Sequence, residues 1–246
     1  MVIMQDRPGK GHFYSDNGGK SWYESVTGVL RNYPKGEKFY EWVAKHGYNA
    51  DRIKQAAGSV GTRVHKALEE LTTARTSPSE LHAKYALGPE EYMALLGFSR
   101  WCDARKPQIH HQELAVISHR LRVGGTVDLI AEIDDGIVVV DFKTSRHVSS
   151  TFWLQLHAYA YAIAEMKLYT PKRLMVLHLN PVHEEGYREI RRPYQHEILQ
   201  QFYALRFLHE HVAKNERTRT EEKTWDDDAF PIIHNRNYGI DEISIP

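Results

Sequence analysis

The chain has 246 residues, 41% of them hydrophobic and 26% charged, and its 32 Lys plus Arg balance 32 Asp plus Glu to a formal net charge of +0. That is enough chain, of ordinary soluble globular composition, to bury a substantial core; any polyanionic partner would have to meet one local basic face, because the whole is not basic. The single cysteine, Cys102, excludes an internal disulfide framework, a four-cysteine zinc site and an iron–sulfur cluster, and no apolar run approaches the roughly 18 residues of a membrane span.

Along the chain, His12–Tyr14 and Ser21–Tyr23 flank Asp16-Asn17-Gly18-Gly19, which predicts a hairpin. Met1–Lys10 has no apolar core, so no secretory peptide is expected there. Helices are predicted over Lys35–His46, from Asn49 onward, over Ser59–Thr73 and over Pro89–Lys106, with Gly58 and Gly61 expected to break or kink the approach to the third. The character then changes to strands rich in Val and Ile: Ile109–His119, Leu121–Ile133 and Ile137–Thr144. A helix over Ser150–Leu168, a strand over Leu174–Leu179 and an amphipathic helix over Tyr194–Lys214 follow. The charged remainder from Asn215 onward is expected to be partly mobile. This order predicts an α/β (α+β) fold, a mixed sheet flanked by helices. Its divisions are an N-terminal hairpin and helical lobe (1–106), a core (107–214) and a charged tail (215–246).

The chemistry concentrates in two strands. Ile137-Val138-Val139-Val140 reads as a strand buried on both faces, yet it runs into Asp141 and Lys143, which leave one face together. A two-residue turn at Asp135-Gly136 places Asp128 opposite Lys143; a turn at Asp134-Asp135 places it opposite Asp141. In either register two carboxylates converge, and they repel unless something positive lies between them. A divalent cation supplies that charge and leaves Lys143 for a phosphate or a water molecule. Glu132 falls nearer the turn and reads as a solvated charge. His110 and His111, adjacent on a strand, are expected on opposite faces. No Walker loop, His-Glu-x-x-His helix or Gly-x-Ser-x-Gly elbow is present, so NTPase and acyl-transfer readings have no anchor.

The strand Gly125-Thr126-Val127-Asp128 followed by Asp141-Phe142-Lys143 resembles the core of the PD-(D/E)XK nucleases, in their RecB-like exonuclease branch. Gly61–Glu69 resembles the histidine-bearing helix of that branch, and Gln155-Leu156-His157-Ala158-Tyr159 its Gln-x-x-x-Tyr helix. Ser25–Leu30 is similar to the opening of phage exonucleases and of the mitochondrial genome maintenance exonuclease, and the matches keep family order over about residues 22–190.

The resemblance implies a restriction-endonuclease-like fold. It also implies a metal site made by His65, Asp128, Asp141 and the backbone carbonyl of Phe142, with Lys143 catalytic beside Asp128 and Asp141. Gln155 and Tyr159 would line the DNA side, and Glu113 is a second-tier candidate. The implied cofactor is Mg²⁺ or Mn²⁺, one ion or two, and the implied substrate is DNA, at single-stranded ends. A structure-specific endonuclease or resolvase and a non-catalytic DNA-binding module are the alternatives. Without the four cysteines of the iron–sulfur members, the chain groups with the cluster-free ones. Arg63, Lys66, Lys35, Lys38, Tyr40 and Trp42 are candidates to steer and stack a strand. The expected setting is intracellular, the cytoplasm of a bacterium or phage-infected host, with an organellar matrix also open.

Overall fold

The computed structural model describes residues 1–7, 11–74, 76–171 and 173–218, with 213–218 described by backbone alone. Eight strands form one mixed sheet: β1 (Ile3–Arg7), β2 (Gly11–Ser15), β3 (Tyr23–Ser25), β4 (Gln108–Ser118), β5 (Val123–Glu132), β6 (Ile137–Lys143), β7 (Arg173–Leu179) and β8 (Tyr187–Pro193). Among the described residues seven α-helices accompany them: α1 (Val26–Leu30), α2 (Glu37–His46), α3 (Ala50–Thr73), α4 (Pro78–Tyr85), α5 (Pro89–Arg105), α6 (Ser150–Glu165) and α7 (His196–Thr218). The sheet order is β1-β2-β3-β5-β6-β7-β8, with β4 also on β5; β3 with β5 and β6 with β7 are parallel, the other pairs antiparallel.

Helices cover both faces. On one, α1, α6 and α7 close over Val127, Ile130, Val139, Leu174 and Val176; on the other, α3, α4 and α5 close over Leu129, Ala131, Val138, Val140, Phe142 and Leu177. The all-apolar run of β6 is thus explained, since a strand between two helical layers needs apolar side chains on both faces. The expected α/β architecture with a helix-flanked mixed sheet is the one observed.

The β5–β6 hairpin turns on Asp134 and Asp135, with φ of 51° and 58°, the two left-handed residues a type I′ turn demands. Ile133 and Gly136 close it with backbone bonds of 3.0 and 3.3 Å. Pairs run from Glu132↔Ile137 to Leu129↔Val140, so the next row sets Asp128 opposite Asp141. Of the two registers open in the sequence, this is the second. Arg191 secures it by binding Asp134 at 2.8 Å from β8.

Several expectations need correction. Gly58 and Gly61 do not interrupt α3, which is continuous for 24 residues. A helix interior tolerates glycine at a cost of about 1 kcal/mol each, and Ser59 and Thr62 add hydroxyl bonds to carbonyls four residues back. Lying on adjacent positions does not separate His110 from His111: the ladder shifts between Ile109 and His111, and both rings meet Tyr169, at 5.4 and 5.6 Å. A bulge suspends the alternation of side chains on which that expectation rested. Glu132, read as solvated, does have an exposed side chain, 43% accessible, with His110 Nε2 3.5 Å away. The strands β1 and β8 and the helix α4 were not anticipated, although Ser77-Pro78-Ser79-Glu80 spells the capping box that starts α4. Residues 215–218 continue α7, and residues 219–246 of the expected tail lie outside the described residues.

Candidate active site

The site grows from a gap in the sheet. β4 runs along the whole of β5, so β3 and β6 share the other edge of β5: β3 at Val123 and Gly124, β6 from Leu129 to Glu132. Between them, Gly125–Asp128 has no ladder partner on that edge among the described residues. Asp128 uses its side chain instead: Oδ2 accepts the Phe142 backbone N–H at 2.7 Å, inserting a carboxylate where the two strands part.

The opposite edge of Asp128 is irregular too. Pairs Gln112↔Leu129 and Leu114↔Val127 bracket a row in which Glu113 would face Asp128, and Glu113 takes φ of 49°, a left-handed backbone uncommon for a side chain of its size. Glu113, Asp128 and Asp141 therefore occupy one row across three adjacent strands. Strained backbone of this kind costs about 1–3 kcal/mol and concentrates at functional sites.

α3 brings His65 down on this row. Its Nδ1 is 3.4 Å from Asp128 Oδ1 and 3.7 Å from Glu113 Oε1, and its Nε2 is 3.3 Å from the carbonyl oxygen of Phe142. One ligand atom from each of His65, Glu113 and Asp128 lies within 4.8 Å of the other two. Arg63, two residues before His65, grips Glu91 of α5 at 2.6 and 2.8 Å, and Glu91 in turn accepts the Gly88 N–H at 2.6 Å. Arg63 is thereby an anchor of α3 on α5, and not the free cation that the strand-steering reading wanted.

From the other face, α6 supplies Gln155 and Tyr159, four residues apart and hence neighbours on one helix face. Gln155 Nε2 donates to Asp141 Oδ1 at 3.0 Å and to Tyr159 Oη at 3.2 Å, while its Oε1 stands 3.4 Å from Lys143 Nζ. Lys143 Nζ is 2.7 Å from Asp141 Oδ2. The eight residues that the resemblance assigns to the metal, catalytic and DNA-side positions (His65, Glu113, Asp128, Asp141, Phe142, Lys143, Gln155 and Tyr159) thus meet around the gap. Tyr14 and the close packing at Gly124 and Gly125 were missed. A Cβ on Gly124 would come 2.4 Å from Tyr14 Cβ, and one on Gly125 would come 2.3 Å from Tyr159 Cε1. The Gly-Gly dipeptide was the available signal: two adjacent glycines inside a strand mark close approach by other groups.

Charge within the site is strongly perturbed. Burial pulls the His65 imidazole toward neutrality, but the Asp128 carboxylate outweighs it, aided by Glu113, and the pKa is raised to about 10. Burial pushes Asp128 up, yet the adjoining imidazolium and Lys143 carry it below the ordinary value. Asp141 is raised to about 6, chiefly by burial, with Lys143 opposing and Asp128 assisting. The His65 imidazolium and the Lys143 ammonium thus offset part of the charge of the three carboxylates.

The donor set fits a divalent cation. Glu113 Oε1 and Asp141 Oδ2 are buried without a hydrogen-bond donor, and the ammonium of Lys143 lies 2.7 Å from the latter. Carboxylate oxygens, a peptide carbonyl and one imidazole are the donors that Mg²⁺ and Mn²⁺ accept. The three-residue cluster around His65 includes Glu113 and leaves out Asp141, which Lys143 and Gln155 engage.

No helix among the described residues is long and apolar enough to cross a membrane. No curated protein matches the chain significantly. Among solved structures, the chain is similar to a crystal structure of LHK-Exo in complex with dAMP, at 10% identity and a TM-score of 0.38 over 63% of this chain and 91% of that one. It is also similar to a crystal structure of SSO0001, at 12% identity and a TM-score of 0.28 over 59% of this chain and 82% of that one. These likenesses are too slight to bear on function. The model of the PD-(D/E)XK nuclease superfamily matches residues 39–220, a span that holds His65, the acidic row, Lys143 and the Gln155 helix. The chain belongs to the PD-(D/E)XK nuclease superfamily, whose members are metal-dependent nucleases.

Proposed function

We propose that this nuclease is a DNA exonuclease acting at single-stranded ends. The observation that carries the catalytic part is the row Glu113–Asp128–Asp141 across three strands, with Lys143 on its open side and His65 above it. The exonuclease part rests on the resemblance to the RecB-like branch, whose four motifs occur here in order.

In this reading His65, Glu113, Asp128, Asp141 and the Phe142 carbonyl hold one or two divalent ions, Mg²⁺ or Mn²⁺. A bound ion supplies Lewis acidity toward the scissile phosphate and the attacking water. The chain does the positioning. Lys143 donates to a phosphate oxygen or orients the water in line with the leaving oxygen, placing a fixed positive charge where negative charge develops. Gln155 holds Asp141 in one rotamer, and Tyr159 holds Gln155. Occupying the site requires His65 to give up the proton it carries in the metal-free protein, because an imidazolium has no lone pair to offer.

The test is degradation of end-labelled linear and of circular single-stranded DNA, with Mg²⁺, with Mn²⁺ and with chelator. Loss of linear DNA alone supports the exonuclease. Nicking of circles overturns it in favour of an endonuclease or resolvase, and retained binding without cleavage overturns it in favour of a binding module.

A further inference from the structure

Lys143 makes a third contact that the two polar ones do not explain. Its Nζ lies 4.8 Å from the ring centroid of Phe152, in the first turn of α6. Phe152, Gln155 and Tyr159 fall at i, i+3 and i+7, so one stripe of α6 faces the Asp141–Lys143 pair. Phe152 is half-buried against the core formed by α1, α6 and α7, which fixes its ring.

We infer that Phe152 is a positioning residue for Lys143, holding the ammonium by a cation–π contact when Asp141 turns to another partner; this rests on the nuclease reading above. In the metal-free protein Asp141 is the strongest partner of Lys143, at 2.7 Å. Under the proposed function that carboxylate serves a cation, and Lys143 then loses its anion while gaining a like charge nearby. What remains is Gln155 Oε1 at 3.4 Å, a neutral acceptor, and the electron-rich face of Phe152. An aromatic face attracts an ammonium more strongly when both are withdrawn from water, and Lys143 is only 18% exposed. Phe152 therefore narrows the volume the ammonium can sample, at the moment when a misplaced lysine costs most.

The experiment replaces Phe152 by Leu, Met, Tyr and Trp. In metal-free protein carrying ¹³C-labelled lysine, the ε-methylene protons of Lys143 are expected to be shifted upfield by the ring, with Lys143→Met identifying the signal. The shift should persist in Phe152→Tyr and Phe152→Trp and vanish in Phe152→Leu and Phe152→Met. In turnover, Leu and Met should lower kcat by about 5- to 30-fold, and Tyr and Trp should restore it. DNA affinity should stay within about twofold throughout, because the ring is not asked to touch substrate.

An unshifted Lys143 signal in the wild type overturns the contact. Wild-type kcat in the folded Leu or Met variant overturns the positioning role. A loss confined to DNA affinity also overturns it, and makes Phe152 a stacking platform instead. Should the wild type cleave no DNA, the nuclease proposal falls, while the lysine spectra of the metal-free protein still decide the Phe152–Lys143 contact.

Discussion

Glu113 faces Asp128 across β4 and β5 in a row where the ladder is broken, and it does so with φ of 49°. The backbone there gives up regular geometry to bring a third carboxylate into a row that already holds two. His65 and Lys143 offset two of the three carboxylates, and a divalent cation would supply the positive charge the row still lacks.

The first prediction concerns that guest. Addition of Mn²⁺ or Mg²⁺ at a hundredfold excess over its dissociation constant should stabilise the fold by about 2.7 kcal/mol. For a domain of this size that raises Tm by about 5–10 °C, and chelator should reverse the effect. Glu113→Gln and Asp128→Asn should each abolish most of the rise. Without metal, Asp128→Asn should melt below wild type, because it takes the counter-ion from His65 and weakens the acceptor of the Phe142 N–H. Thermal melts with and without metal measure both. A full metal-induced rise in Glu113→Gln would remove Glu113 from the ligand set.

A second prediction separates binding from chemistry. Lys143→Ala and Asp141→Asn should each lower kcat by about 10²–10³-fold, the range for loss of one preorganised charge at a reacting centre. DNA affinity should change little, because the lost interaction is one made in the transition state. Single-turnover cleavage beside equilibrium binding distinguishes the two; cleavage by both variants at wild-type rate would end the catalytic assignment.

Much of this was legible in the residues. The β-branched run Ile137–Val140 fixed β6 as a doubly covered strand, and the two-residue spacing of Asp141 and Lys143 fixed their common face. The register was not legible, and the reason is parity. Turns at Asp134-Asp135 and at Asp135-Gly136 differ by two residues in their pairing, so both leave every apolar side chain on its proper face. What favours one is tertiary: Arg191 of β8 binds Asp134, and nothing local to the hairpin announces that. Glu113 stayed second-tier because its place depends on a left-handed residue and on the bulge at His110, neither of which has a pattern in sequence. β8 escaped because Tyr187–Pro193 is an edge strand with three Arg, one Glu and a terminal Pro, the composition that edges carry to avoid pairing with other chains.

A third prediction uses a histidine away from the site. His157 is buried in α6, its Nδ1 2.6 Å from the Trp153 carbonyl and its Nε2 3.1 Å from the Gln195 backbone nitrogen. Since Gln195 N–H must donate, Nε2 is the unprotonated acceptor and Nδ1–H donates to Trp153, so the ring is neutral. Burial lowers its pKa below the ordinary 6.5. The unfolded chain therefore binds a proton as pH falls through 6.5 while the native state does not, and the stability in place above 6.5 is lost below it. Between that value and the depressed native one, the loss approaches about 1.4 kcal/mol per pH unit. Urea unfolding of wild type and His157→Gln from pH 7.5 to 5 should show a smaller slope in the variant, and parallel slopes would contradict this account.

The last prediction contrasts glycines by what surrounds them. At Gly125, a Cβ would lie 2.3 Å from Tyr159 Cε1, inside any permissible contact. Gly125→Ala must push Tyr159 away, and Tyr159 carries Gln155, which holds Asp141. The substitution should cost about 1–3 kcal/mol of stability, the usual range for overpacking. It should also lower kcat, through the displaced helix stripe and without touching any charged group. At Gly58 and Gly61 a Cβ would meet nothing within 4 Å, and neither has the positive φ that favours glycine. Gly58→Ala and Gly61→Ala should each stabilise α3 by about 0.5–1 kcal/mol, by restricting the unfolded chain and favouring the helix. If α3 bends at these glycines when the protein works, the same two alanines will raise Tm and lower turnover together. A rise in Tm at unchanged turnover shows instead that α3 acts as one rigid rod, delivering His65 to the acidic row.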